Sequence, residues 1–269
     1  MKKTSTLSKL YLLLVMLFLY VPIFVLIVFS FNTTKSHSHM TGFTFDWYVK
    51  LIHNQLILRS LLNTIIVAVT SAVGATILGT AAAVGINSMK KIPKAITLNV
   101  NNIPIVNPEI VTGVSMMLLF VFFAARMNFE FGFGTLIIAH ITFNVPYVIL
   151  NIMPKFRQMN PNIYEAAQDL GCSPVQAFFK VVLPEIMPGI LSGLMMSLTF
   201  SLDDFVISYF TNGSKAQTLP ITIYSMTRRK ISPEINALST IIFLIVIVIL
   251  VSKNIYERRN AAKKGGKLK

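Results

Sequence analysis

The chain has 269 residues, of which 54% are hydrophobic and 13% charged, with a mean hydropathy of +0.67. A soluble chain carries about 25% charged residues, so half the charge needed to face water is missing, and the apolar content excludes a disordered chain. The single cysteine, Cys172, excludes a disulfide framework and any multi-cysteine metal site. The net charge of +14 would point to nucleic acid in a soluble protein. Here the basic residues fall between long apolar stretches, and the class is membrane protein.

Six windows can cross the roughly 30 Å of bilayer hydrocarbon, which takes about 20 apolar residues in a helix. Lipid offers no partner for backbone polar groups, so each is expected to be helical. The first, Leu10–Phe31, holds no charge. Lys2, Lys3 and Lys9 ahead of it resemble the start of a signal peptide, but the apolar run is long and no small-residue cleavage site closes it, so a retained anchor is expected. His37 and His39 follow in an outer loop with no further metal ligands nearby. The second span, Ser60–Met89, carries Ser71, Ala75, Gly79 and Ala83 at intervals of four. Small residues on one face let helices approach closely in lipid, either inside the chain or between subunits. The third, Ile103–Ala125, contains Glu109 after Pro108, where a kink is expected. The fourth, Gly132–Met153, contains His140 and, four residues on, Asn144, which suggests a buried polar pair between helices.

A patterned segment, Lys155–Met187, separates spans four and five. Asn160-Pro161 reads as a helix start, with Asn as cap and Pro at the first position. Ile163, Ala166, Ala167 and Leu170 then form a narrow apolar face. Gly171 suits a left-handed helix stop, and Ser173-Pro174 starts a second helix expected to end near Leu183, before Pro184. Such a short helix is marginal alone and is expected to dock on a partner.

The fifth span, Pro188–Phe210, repeats the small-residue pattern in Gly189, Gly193, Ser197 and Ser201. It also holds Asp203 and Asp204. Asp204 falls on a polar stripe with Ser197, Ser201, Ser208 and Thr211, so it is expected to line a cavity, whereas Asp203 points about 100° away. The sixth span is Ile235–Val251, followed by a basic tail over 252–269. With the amino terminus inside, sixteen of the 24 Lys and Arg lie in inner segments, which places both termini in the cytoplasm. The outer cluster Arg228–Lys230 runs against that bias.

A carboxylate at the bilayer centre costs about 2.5–3.5 kcal/mol on insertion scales, so Glu109, Asp203 and Asp204 should face a cavity or a partner. They are candidates to offer negative charge to a cationic substrate, with Phe200, Phe205 and Tyr209 adding cation–π contacts. The alternative is pairing with Lys or Arg of a partner subunit. Neighbouring aspartates on one helix diverge and cannot form the shared-proton dyad of an aspartyl protease. No G-x-x-x-x-G-K-[ST] loop occurs, so the chain is expected to be non-catalytic, with no cofactor, and not to bind ATP itself.

Glu165-Ala166-Ala167, Gly171, Val181 and Leu183-Pro184 together resemble the EAA motif of ABC-transporter permeases, with Val181 where Ile is usual. Further matches lie in Gly42-Phe43-Thr44 with Trp47-Tyr48, His140 to Phe143, Ser201 to Asp204, Leu219-Pro220, Ile223 to Met226 and Ser232 to Glu234. Over nearly the whole chain these are similar to the C-type permeases of spermidine/putrescine transport systems. The resemblance implies an all-α polytopic protein of six transmembrane helices with the MetI-like type I ABC importer permease fold, a single transmembrane permease domain over 1–269. It implies a coupling segment within 155–187, in which Glu165, Ala166, Ala167, Gly171, Leu183 and Pro184 meet a cytoplasmic ATPase. The implied partners are two copies of that ATPase, a homologous permease forming a heterodimer, and an extracytoplasmic polyamine-binding protein meeting outer loops Phe31–Arg59 and Thr211–Glu234, all at the bacterial cytoplasmic membrane. An importer permease for another small solute and an ion-coupled secondary transporter are the alternatives. The latter often shows internal repeats, which this sequence lacks.

Overall fold

The structure is a computed structural model that describes residues 6–34, 39–160, 162–214, 216–229, 233–245, 247–248 and 251. Lys2, Lys3, His37, Pro161, Lys215, Lys230 and the basic tail over 252–269 lie outside the described residues.

The elements are α1 (Thr6–Phe29), α2 (Asp46–His53), α3 (Gln55–Asn87), α4 (Lys91–Val106), α5 (Glu109–Met127), α6 (Phe133–Gln158), α7 (Asn162–Asp169) and α8 (Pro174–Ala177). A π-helical segment, Phe178–Val182, joins α8 to α9 (Leu183–Asp203), and α10 (Val206–Thr211), α11 (Leu219–Arg229) and a shorter apolar helix α12 (Pro233–Ile245) follow. Among the described residues, α1, α3, α5, α6 and the continuous helix Pro174–Asp203 are long and apolar enough to cross a membrane. α12 covers most of the expected sixth span.

Residues 58–222 form one compact unit, and those up to 57 and from 223 group into another. In the first, α6 is the central helix. Val148, Ile149, Ile152 and Met153 of α6 are buried with Ala75 and Ala83 of α3, Val182 of the π segment and Ile186 of α9. Both small-residue stripes are buried within the chain, which makes them internal packing faces. A methyl group added at Gly79 would lie 2.7 Å from the Val148 side chain, and one at Gly193 would lie 3.1 Å from Val148 Cα. Since lipid gives helices no hydrophobic reason to associate, this close approach and the polar bonds between helices hold the bundle. Ser71 Oγ lies 3.1 Å from Ser201 Oγ, which accepts from Asn144 Nδ2 at 2.8 Å. Near the start of α11, the Leu219 N–H donates to Thr64 Oγ1 at 2.7 Å, and Thr222 and Ser60 share a 2.6 Å hydroxyl contact.

Three boundaries differ from the sequence reading. Asn107 is extended (ψ 143°), because a residue before proline is driven out of the helical region. The third span therefore begins at Glu109, and Ile103 to Val106 end α4, whose lysines Lys91 and Lys94 are helical rather than in a loop. The fifth span is broken, since α9 stops at Asp203 and α10 starts at Val206. The helix begun at Ser173-Pro174 does not stop at Pro184. Proline clashes with the carbonyl four residues back, and the wider π turn, in which the Leu183 N–H bonds to the Phe178 carbonyl, carries the helix past it.

In the other unit, the stretch after α1 is tied by Trp47 Nε1, which donates to the Asn32 carbonyl at 2.6 Å, and by Ser30 Oγ, 2.7 Å from the Tyr48 hydroxyl. Phe31 stacks on Phe43 with centroids 5.1 Å apart, and Phe45 meets both rings edge-on. Asn54 Nδ2 donates to Glu234 Oε2 at 3.1 Å. Phe31–Arg59 holds α2 and the first turn of α3, and Thr211–Glu234 holds α11 and the start of α12.

Candidate functional site

The three acids of the spans converge. Glu109, Asp203 and Asp204 line one pocket of about 270 Å³ with Phe143, Phe200, Phe205 and Val206. Each arrives by a break in a helix. Glu109 opens α5 directly after the extended Asn107 and Pro108. Asp203 ends α9, and Asp204 is extended (ψ 125°) between α9 and α10. The 100° divergence expected of neighbours on one helix therefore does not hold, and both aspartates reach the same pocket. Phe200, 4.7 Å from Tyr147 centroid to centroid, and Phe205, 5.5 Å from Tyr209, line the pocket with the carboxylates.

The acids are held differently. Asp204 is 9% exposed, accepting from the Ile207 N–H at 3.2 Å and the Ser208 N–H at 2.7 Å. It thereby caps α10, satisfying donors that a helix start leaves open. Its Oδ2 also lies 3.4 Å from His140 Nε2 of α6. Asp203 and Glu109 are exposed. His140 and Asn144 are the buried polar pair between helices that the sequence suggested. His140 Nε2 lies 3.0 Å from Ser208 Oγ of α10, and Asn144 donates to Ser201 of α9. Phe143 enters the sequence reading only within the His140 to Phe143 match and not as a pocket residue, since an apolar residue on an apolar helix carries no chemical signal of that role.

The second candidate region is α7 with the turn after it. Asn160 Oδ1 accepts from the Asn162 N–H at 3.0 Å, capping α7 as its sequence suggested. Gly171 has φ +88°, with its N–H on the Gln168 carbonyl (2.8 Å) and the Cys172 N–H on the Ala167 carbonyl (3.1 Å). This pair of bonds is the left-handed Schellman stop that glycine favours. Ser173 and Gln176 then close a reciprocal capping box on α8. The expected apolar face divides: Ala167 is buried and Tyr164 packs against the core, whereas Ile163, Ala166 and Leu170 (88% exposed) face outward with Glu165. Val175 and Phe179 extend that exposed apolar surface. Leu183 and Pro184 lie in the first turn of α9, below the π segment.

The chain matches the family model for "Binding-protein-dependent transport system inner membrane component" over residues 75–261. The chain belongs to this transport permease family. It is 32% identical to the "spermidine/putrescine transport system permease protein PotC" of Escherichia coli strain K12, with 94% of each chain covered. It is 37% identical to the "putrescine transport system permease protein PotI" of the same strain, covering 86% of this chain and 83% of that one. In solved structures, the chain resembles a subunit of a bacterial ABC transporter involved in import of the acidic polysaccharide alginate, with a TM-score of 0.67 at 14% identity over 96% of this chain and 99% of that one. This likeness shows the fold, which is the all-α, polytopic architecture of ABC importer permeases. The protein is accordingly a multi-pass membrane permease.

Proposed function

We propose that this permease carries polyamines, spermidine or putrescine, inward through the pocket of Glu109, Asp203 and Asp204 as part of an ATP-driven importer. The observation that carries the reading is the convergence of three intramembrane carboxylates and three phenylalanines on one pocket, in a chain 32–37% identical to polyamine permeases. Polyamines are flexible chains with ammonium groups separated by methylenes. Carboxylates offset the loss of hydration of each ammonium, and ring faces add about 0.5–2 kcal/mol per cation. The aromatic surfaces also suit the methylene segments.

The exposed surface of α7 is the docking face for a cytoplasmic ATPase. Glu165, Ala166, Gly171 and Leu170 would meet the ATPase, while Tyr164 and Ala167 tie α7 to the core. Through the π segment, Leu183 and Pro184, any displacement of α7 and α8 passes into α9, whose far end holds Asp203. ATPase closure would thereby tip the helix that bears the pocket and switch its access from one side to the other. In this reading the coupling segment lies within 155–187 of a single permease domain, and both termini are cytoplasmic. A homologous permease completes the channel, two ATPases sit below, and a polyamine-binding protein delivers cargo to the outer segments.

The experiment is ATP-dependent uptake in proteoliposomes holding the permease pair and ATPase, with binding protein outside, across radiolabelled spermidine, putrescine, a neutral amino acid and an acidic sugar. Polyamine uptake alone is expected. Transport of a neutral or acidic solute with no polyamine uptake would overturn the cargo reading.

A further inference from the structure

Both oxygens of Asp204 are committed to the protein itself: one to the Ile207 N–H, the other to the Ser208 N–H with His140 Nε2 at 3.4 Å. His140 is 1% exposed, and its Nε2 meets both the capping carboxylate of Asp204 and Ser208 Oγ in the first turn of α10. A carboxylate is an acceptor, so the Nε2 that faces it carries a proton. His140 Nδ1 is buried without a hydrogen-bond partner among the described residues. This imidazole is thus aimed wholly at Asp204 and Ser208.

What α10 holds in place is the rest of the pocket. α10 packs on α5 through Gly113, where an added methyl would lie 2.9 Å from the Phe210 ring and 3.4 Å from the Val206 carbonyl oxygen. Gly113 is one turn along α5 from Glu109, so the seat of α10 sets where Glu109 meets the pocket. Asp203 immediately precedes the capped break. The two exposed acids therefore stand on elements whose relative placement depends on the His140–Asp204–Ser208 cluster.

We propose that His140 and Asp204 are positioning residues that lock the α9–α10 break, and that Asp203 and Glu109 are the pair that contacts the cargo's ammonium groups. This division of roles rests on the polyamine reading for its second half. The first half stands on the hydrogen bonds alone.

The test uses the full reconstituted transporter and two readouts. In spermidine uptake, Asp203→Asn and Glu109→Gln are expected to raise KM tenfold or more with Vmax within about threefold. Asp204→Ala and His140→Ala are expected to lower Vmax tenfold or more. Asp204→Asn, which keeps a capping acceptor, is expected to recover most of that loss with KM near the wild-type value. In thermal melts, Asp204→Ala and His140→Ala should each lower Tm, and the double variant should fall no further than the worse single one, because residues acting as a unit are not additive. Asp203→Asn and Glu109→Gln should leave Tm unchanged. A KM rise in Asp204→Asn equal to that in Asp203→Asn would overturn the division. So would additive melting losses for His140→Ala and Asp204→Ala. A wild-type transporter that takes up no polyamine overturns the cargo half and the functional reading with it, while the melting cycle still decides the positioning half.

Discussion

Gly171 offers the sharpest single-residue test of the docking segment. Its φ of +88° is a conformation that side chains rarely adopt, and a methyl group placed there would meet nothing within 4 Å. The cost of replacing it is therefore conformational rather than steric, roughly 1–2 kcal/mol for a residue with a Cβ in the left-handed region. That cost falls on α7, eight residues long and marginal without tertiary support. A loss of 1–2 kcal/mol changes a population ratio by a factor of about 5–30, so Gly171→Val should reduce the docked form of α7 by that order. The assay is the amount of ATPase that co-purifies with the permease, alongside ATP-driven uptake in proteoliposomes. Gly171→Val is expected to lower both by about 5–30-fold. Gly171→Asn should stay within a fewfold of wild type, because asparagine tolerates the left-handed region. Equal performance of the valine variant and wild type would show that the left-handed turn at Gly171 is not needed for docking, as would an asparagine variant as poor as valine.

Other consequences of the packing are open to measurement. At Gly189 an added methyl would lie 2.9 Å from the Asn151 carbonyl oxygen and 3.2 Å from Ile152 Cα, whereas at Gly85 it would meet nothing within 4 Å. Gly189→Ala should cost about 1–3 kcal/mol through overpacking, read as a drop of roughly 2–4 °C in Tm per kcal/mol, and Gly85→Ala should cause no loss. Ser173→Ala removes the cap of α8 and should cost about 1 kcal/mol, seen as faster amide hydrogen exchange at Gln176 with little change elsewhere.

Much of the fold is legible from the chain because lipid leaves few options. Uncharged apolar runs mark α1, α3 and α6, and the four-residue spacing of Gly, Ala and Ser marks the faces that meet α6. The start and the stop of α7 are legible too, because Asn160 and Gly171 each have a local reason to be where they are. The breaks are harder to see. Ser197, Ser201, Asp204, Ser208 and Thr211 keep helical spacing in the sequence, and all five are buried, across a point where the helix stops. The signal that could have revealed it is Asp204 itself, a preferred helix cap standing three and four residues before the N–H groups it accepts from. Pro184 misled in the opposite direction, since a π turn absorbs a proline that an α-helix would not. The convergence of Glu109 with Asp203 depends on two separate breaks and on α10 packing against α5, a long-range relation that no local pattern encodes.

In the proposed mechanism an external ATPase, engaged through α7, drives cationic cargo past the pocket of Glu109, Asp203 and Asp204. The most direct measurement is spermidine uptake into proteoliposomes with and without the partner ATPase, under ATP and under an imposed proton or sodium gradient. Uptake is expected with the ATPase and ATP together, and none from a gradient alone. Gradient-driven uptake by the permease without its ATPase would contradict the mechanism.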